Sequence, residues 1–189
     1  MCGRARLSSD VSEIKLVFSI PPARPTPNVP ANWNASPTED LPVVRYDARA
    51  NQRSLDVMRW GLVPFWAKDI KVGFANINAK AEGIDTRPAF REAFAKRRCL
   101  VPFDCFYEWK KLGKERQPYA VGLGDRRLMA LAGLWENWRS PAASESEVSR
   151  SLRPPRTHCW LRCMIACRSF WRRRTGRSGL AKRKPTRLN

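Results

Sequence analysis

The sequence lacks any apolar run of 18 or more residues, and it has one histidine and fewer than half as many acidic as basic residues. The missing apolar run excludes a membrane-spanning helix. The N-terminus carries Cys2 and the charged residues Arg4 and Arg6 rather than a basic segment followed by an apolar one, so we expect no signal peptide. The six cysteines follow no regular spacing, which favours free thiols in a cytoplasmic protein over a disulfide framework.

The chain nevertheless has the means to fold and a strong excess of positive charge. Its 189 residues are 43% hydrophobic and 10% aromatic, enough for one domain with a core, and its net charge is +19 with a pI near 10.7. The charge is uneven: residues 141–189 contain 13 basic residues and only two acidic ones, and show no period of a strand or helix. We therefore divide the chain into a domain over residues 1–140 and an aberrant basic tail over residues 141–189.

The first 140 residues predict short strands separated by turns. The segment Pro21–Pro27 is predicted to be a surface loop, because proline lacks an amide donor. One amphipathic helix is predicted over Arg87–Arg97, with Phe90 and Phe94 on one face. Strands in succession with few helices indicate an α+β fold. The predicted strands are Leu41–Tyr46, Asp56–Leu62, Cys99–Val101, Phe106–Lys110, Pro118–Leu123 and Leu128–Gly133.

The N-terminus, Met1-Cys2-Gly3-Arg4, could carry chemistry. Initiator methionine is normally removed before a small residue, which would leave Cys2 with a free α-amine beside its thiol. Such a 1,2-aminothiol condenses with an aldehyde to close a five-membered thiazolidine ring. The alternative is that Cys2 is an incidental residue on a frayed terminus.

Two further segments combine aromatic and polar residues. In Trp60–Lys68, two tryptophans flank a turn, and indole rings can stack on unpaired bases. Both could equally lie in the core. We expect one tryptophan to be buried in the core and the other to be available for stacking. In Pro102–Lys110, Glu108 lies within an aromatic strand, where a partly desolvated carboxyl could exchange protons; the alternative is a solvated strand residue.

Taken together, the motifs resemble the SOS-response-associated peptidase (SRAP) family, the abasic-site processing proteins. The resemblance runs from Met1 to about Trp138, roughly three quarters of the chain. It implies a single β-rich α+β domain with a barrel-like sheet core and a basic groove for single-stranded DNA. The matching segments are Met1–Arg4, Asn34–Thr38, Trp60–Lys68, Ile77–Glu82, Arg98–Pro102 and Asp104–Lys110.

The same resemblance implies roles for particular residues. Cys2 would form a thiazolidine crosslink with the ring-opened aldehyde of an abasic site, after autoproteolytic or aminopeptidase removal of Met1. Asn78 would hold the amine or the sugar, and Glu108 would shuttle protons. The DNA contacts would come from Arg4, Trp66 and Lys80, a lysine where many members have arginine. The resemblance implies a monomer, with abasic single-stranded DNA as partner and no cofactor.

The family's histidine, in a His-Asp-Arg-Met-Pro segment, has no match in this sequence. The sole histidine, His158, stands in a different context, and its spacing to Cys159, Cys163 and Cys167 fits no common zinc pattern, so no metal is expected. A shifted reading frame from the junction of Cys163 and Met164 forces Asp and then Leu, and permits His-Asp-Arg-Met-Pro-Val-Val-Leu. A Cys163 codon ending in T would instead give Tyr for the first residue.

We therefore interpret the tail as an out-of-frame version of the family's C-terminal part. Such a tail would lack the strands that complete the sheet, and we expect an open sheet edge, marginal stability and aggregation. Two other functions remain open from the residues alone. One is a basic nucleic-acid-binding protein without catalysis, and the other is an inactive relic.

Overall fold

The computed structural model describes residues 3–140 and, for the backbone alone, residues 157–161. These residues form nine strands and three short helices, which confirms the predicted strand-rich α+β class. The helices are α1 (Val11–Val17), α2 (Val72–Ala75) and α3 (Arg91–Lys96). The strands are β1 (Ala5–Leu7), β2 (Asn32–Ala35), β3 (Asp40–Asp47), β4 (Gln52–Trp60), β5 (Arg98–Phe103), β6 (Cys105–Leu112), β7 (Glu115–Gly122), β8 (Met129–Asn137) and β9 (Thr157–Leu161).

A four-stranded sheet carries the N-terminal strand near its centre. Its order is β2-β1-β6-β7, and every neighbouring pair is antiparallel. The strands β6 and β7 form a hairpin whose two-residue turn includes Gly113 at φ +62°. Side chains alternate along these strands, so one face covers the core and the other is open to solvent. We call the four strands the small sheet and their solvent side its outer face.

The other five strands form a ring in the order β3-β4-β9-β8-β5. The ring closes where β3 meets β5 at one residue pair, Val44 and Leu100. Strand β9 pairs parallel with β4 and antiparallel with β8. The expectation that the tail contributes no strand was therefore wrong. All five residues of β9 pair with β8, and His158 and Cys159 also pair with β4, so β9 fills the space between these two strands.

One hydrophobic cluster joins the ring to the inner face of the small sheet. Trp60 and Phe103 are fully buried at its centre, with ring centroids 6.4 Å apart. Ala5 and Phe106 of the small sheet belong to the same cluster. The two sheets thus share a core, and the N-terminal strand is held by both pairing and packing.

A buried lysine fixes the proline-rich loop that the sequence predicts. The Nζ atom of Lys15, in α1, donates to the carbonyl oxygens of Pro22 and Arg24 at 3.0 and 2.8 Å and to Thr26 Oγ1 at 3.0 Å. Asp10 is the N-cap of this helix, and its carboxylate accepts a hydrogen bond from the amide of Ser12 at 2.7 Å.

The helix predicted over Arg87–Arg97 is shorter than expected. It begins at Arg91, and the residues before it form turns, in which the amides of Phe90 and Arg91 both donate to the carbonyl oxygen of Arg87 at 2.9 Å. Phe90 is buried as predicted, whereas Phe94 is 37% exposed.

Candidate functional site

The first part of the site is the place where the N-terminal strand runs beside Glu108. Ala5 pairs with Phe106, and the amide of Tyr107 donates to the carbonyl oxygen of Arg4 at 2.9 Å. Because the strands are antiparallel, two further steps bring Gly3 alongside Glu108. A Cβ atom at Gly3 would meet nothing within 4 Å, so the backbone there is open to an approaching group. Cys2 lies outside the described residues.

Glu108 belongs to the inner face of β6. It is half-buried and lies opposite Tyr119 of β7, on the same face as Phe106. Its neighbours in sequence, Tyr107 and Trp109, point to the outer face. The structure thus places this carboxylate at the edge of the core rather than on the solvated face.

Asn78 follows a segment that is tied to the end of β4. The indole Nε1 of Trp60 donates to the carbonyl oxygen of Ile77 at 3.0 Å. The side-chain nitrogen of Asn76 donates to the carbonyl oxygen of Leu62 at 3.0 Å. Ile77 packs on the same core cluster that contains Phe106. The segments that carry Asn78 and Glu108 therefore both pack on this one cluster.

Trp60 and Trp66 have opposite environments, as the sequence predicts. Trp60 is fully buried, and Trp66 is 54% exposed. The turn that presents Trp66 is fixed from behind, because the amide of Ala67 donates to Pro64 at 2.9 Å and Nε1 of Trp138 donates to the carbonyl oxygen of Ala67 at 2.7 Å. A large aromatic side chain therefore stands in solvent on a rigid turn, where it can stack on another ring.

The two predicted cations stand in different settings. Lys80 is exposed in the segment that follows Asn78, and Arg4 is half-buried at the start of β1. Arg4 also helps to lower the pKa of Glu39: burial raises that pKa, but hydrogen bonds from Ser36 and Asn32, together with the charge of Arg4, outweigh it.

Asp104 is a residue that sequence reasoning missed, and it ties the end of β1 to the start of β6. Its carboxylate accepts from the amide and hydroxyl of Ser8 at 2.6 and 2.8 Å and from the hydroxyl of Ser9 at 2.6 Å. Burial raises the pKa of Asp104, but these hydrogen bonds and the charge of Arg6 outweigh it, so the pKa lies below its usual value.

We expect Asp104→Asn to lower the free energy of unfolding by about 2 kcal/mol at neutral pH. The folded-state pKa is depressed, so this stabilisation is present above the unfolded value of about 3.9 and is lost as pH falls through the folded value. Urea unfolding of the unmodified protein and of Asp104→Asn between pH 2 and 7 measures the difference in their free energies of unfolding. A difference between them that stays constant over that range would contradict the assignment.

Two further properties concern the described part of the chain. Its helices are too short to cross a membrane. Residues 3–140 contain no group of three His, Cys, Asp or Glu side chains placed to hold a metal ion.

The fold and the site define a strand-rich protein whose first strand, β1, pairs with the strand that carries the half-buried carboxylate of Glu108. The family model described as "SOS response associated peptidase (SRAP)" matches residues 1–153. The chain belongs to this family.

Curated relatives carry names that refer to abasic sites. The chain is 39% identical over 142 residues to "Abasic site processing protein YoqW" of Bacillus subtilis, covering 75% of this chain and 62% of that protein. It is 28% identical over 145 residues to "Abasic site processing protein HMCES" of Xenopus tropicalis, covering 62% and 43%. The chain thus spans about three fifths of the length of YoqW.

A solved structure shows the same fold. A Bacteroides thetaiotaomicron protein superimposes with a TM-score of 0.71 at 19% identity, covering 85% of this chain and 67% of that one.

Proposed function

We propose that this chain captures abasic sites in single-stranded DNA through a covalent bond to Cys2. The α-amine freed by loss of Met1 adds to the ring-opened aldehyde, and loss of water gives an imine. The thiol then adds to the imine carbon, and its proton passes to the nitrogen. The product is a thiazolidine, and the whole step releases one water without oxidation or reduction.

The observation that carries the proposal is the pairing of β1 with β6, whose register, continued from Ala5 through Arg4, sets Gly3 alongside Glu108. Proton transfer in imine chemistry needs a group that can both donate and accept near the reacting nitrogen. Glu108, a carboxyl at the edge of the core that the register sets beside Gly3, the residue after Cys2 in sequence, would be that group. Membership of the family and the names of its curated relatives support the choice of an abasic site as the source of the aldehyde.

The other residues would bind and orient the DNA. Asn78 would hold the amine or the sugar through its amide group. Trp66 would stack on an unpaired base, while Arg4 and Lys80 would contact phosphates. Lys80 would act there as a single charge, since it lacks the paired donors of arginine.

The setting that fits this activity is the cytoplasm during the SOS response to DNA damage, with the protein bound as a monomer. Removal of Met1 by the chain itself would be its peptidase step, and the alternative is removal by a separate aminopeptidase.

A substrate series tests the proposal. Purified protein is incubated with single-stranded DNA containing one abasic site, with the same DNA carrying a tetrahydrofuran analogue, and with intact DNA. The analogue cannot open to an aldehyde, so only the first DNA should give a band that survives a denaturing gel. Equal bands with the analogue would overturn the aldehyde chemistry.

The role of Glu108 has its own test. We expect Glu108→Gln to slow formation of the covalent band about 100-fold, because the amide cannot transfer the proton that the carboxyl transfers. The rate is measured from gel time courses, with Glu115→Gln on exposed β7 as the matched control. A rate within twofold of the unmodified protein would remove Glu108 from the mechanism.

Noncatalytic nucleic-acid binding is the second candidate, favoured by the net charge of +19. It predicts affinity that falls steeply with salt and does not depend on Cys2.

A further inference from the structure

Arg6 and Trp33 form a stacked pair on the outer face of the small sheet. The guanidinium carbon of Arg6 lies 4.2 Å from the centroid of the Trp33 ring. Trp33 nevertheless remains 60% exposed. One side of an indole is thus occupied by a cation, and enough of the ring is left open for a second planar group.

Both partners of this pair are held by other residues. The Nε atom of Arg6 donates to Ser8 Oγ at 2.9 Å and lies 3.5 Å from a carboxylate oxygen of Asp104. The hydroxyl of Tyr107 donates to the backbone carbonyl oxygen of Trp33 at 3.0 Å. A planar ligand would therefore meet a surface that is already arranged, and little conformational freedom would be lost on binding.

Beyond Arg6, the outer face of the small sheet carries two further cations, Lys111 and Arg116, close to the turn between β6 and β7. Pairing of Arg6 with Cys105, and of β6 with β7, determines which side chains share the outer face. None of these outward positions on β1, β6 and β7 is acidic. They are Arg6, Cys105, Tyr107, Trp109, Lys111, Arg116, Pro118, Ala120 and Gly122.

We propose that the Arg6–Trp33 pair binds an unpaired base of single-stranded DNA outside the reacting nucleotide. This inference rests on the proposed function for the identity of the nucleic acid. The base stacks on the open part of the Trp33 ring, and the cations of the outer face contact the phosphates that lead to it. Bases in a duplex are already stacked on their neighbours, so the pair favours single strands.

The experiment measures noncovalent binding, so it does not depend on the reaction at Cys2. The probe is a fluorescein-labelled oligothymidylate of about 15 nucleotides without an abasic site, titrated with full-length protein in an anisotropy assay. We expect Trp33→Ala to raise Kd about tenfold and Trp33→Phe to change it less than twofold. Arg6→Lys keeps the charge but loses the planar stack, and an intermediate loss of about threefold is expected.

A matched control is Tyr46→Ala, which removes an aromatic side chain that is 59% exposed on the other sheet. It should leave Kd unchanged. The slope of log Kd against log salt should be the same for Trp33→Ala and the unmodified protein, because the lost contact is not ionic. Circular dichroism of each variant confirms that the fold is retained.

Three results would overturn the inference. Trp33→Ala could bind the oligothymidylate as tightly as the unmodified protein. Trp33→Ala could raise Kd for duplex DNA by the same factor as Kd for the oligothymidylate. It could instead abolish concentration-dependent self-association in sedimentation while DNA binding is unchanged, which would assign the surface to a second copy.

Failure here is distinguishable from failure of the proposed function. A covalent band that needs Cys2, combined with no effect of Trp33→Ala, removes only the stacking site. Loss of affinity in Trp33→Ala, with no covalent band from any DNA, keeps the stacking site and removes the crosslinking activity.

Discussion

The Cys2→Ser variant is expected to form no covalent band with abasic single-stranded DNA, a loss of at least 100-fold against the unmodified protein. Serine keeps the α-amine, so an imine can still form, but a hydroxyl is a far weaker nucleophile than a thiol and closes the ring poorly. The imine hydrolyses during denaturation, and the band is lost. Borohydride reduction before denaturation should restore a band, because it traps the imine.

Two controls separate the thiol at position 2 from other effects. Cys99 lies on β5 of the five-stranded ring and is 7% exposed, and Cys99→Ser should leave the covalent band unchanged. Noncovalent affinity of Cys2→Ser for intact DNA should also stay unchanged. A covalent band from Cys2→Ser without borohydride would show that another nucleophile forms the bond.

Gly61→Ala is expected to lower the free energy of unfolding by about 4 kcal/mol, since it adds backbone strain to a steric clash. Gly61 ends the β4 segment at φ +123°, a conformation that residues with a side chain rarely adopt. An added Cβ would lie 2.7 Å from the carbonyl oxygen of Gly73. Neither backbone can withdraw easily, because Leu62 and Asn76 are hydrogen bonded to each other next to the contact.

Urea denaturation measures this loss, and Gly113→Ala is the matched control. Gly113 also has a positive φ, +62°, but an added Cβ there meets nothing within 4 Å. Gly113→Ala should lower the free energy of unfolding by only about 1 kcal/mol, because it adds backbone strain without a steric clash. Equal losses in the two variants would contradict a close approach between Gly61 and Gly73.

The same contact connects the fold to the site. Gly73 lies in α2, and the chain continues from there through Asn76 to Asn78. A shift of this segment would move Asn78 relative to the N-terminal strand. We therefore expect Gly61→Ala to slow formation of the covalent band under conditions where the protein remains folded.

The long strands of this protein and helix α3 were predicted, whereas β1, β2, α1 and α2 were not. Alternating or apolar runs predicted the positions of β3 to β8, because each has enough residues to show a pattern. Strand β1 has three residues, too few for a period to be seen. Helix α1 did leave a signal, since Asp10 at its start is followed three residues later by Glu13, as in a capping box.

Strand β9 in the tail could not be predicted from its side chains. Residues 157–161 carry no clear strand pattern, yet their backbone forms β9. A gap between two paired strands offers hydrogen bonds to any backbone that can reach it, whatever the side chains. The boundary at residue 140 and the out-of-frame origin of the tail remain predictions that the coding DNA can test.

The sequence by itself determined the chemical inventory: a cysteine at position 2, a carboxyl in an aromatic strand, an excess of cations and the order of the motifs. These are local properties, readable from residue type and spacing. Only the tertiary structure decided that the register of β1 and β6, continued by two residues, brings Gly3 beside Glu108, that Arg6 stacks on Trp33 and that Asp104 holds the end of β1. Each of these contacts joins residues far apart in the chain, and their register depends on how the two sheets share one core.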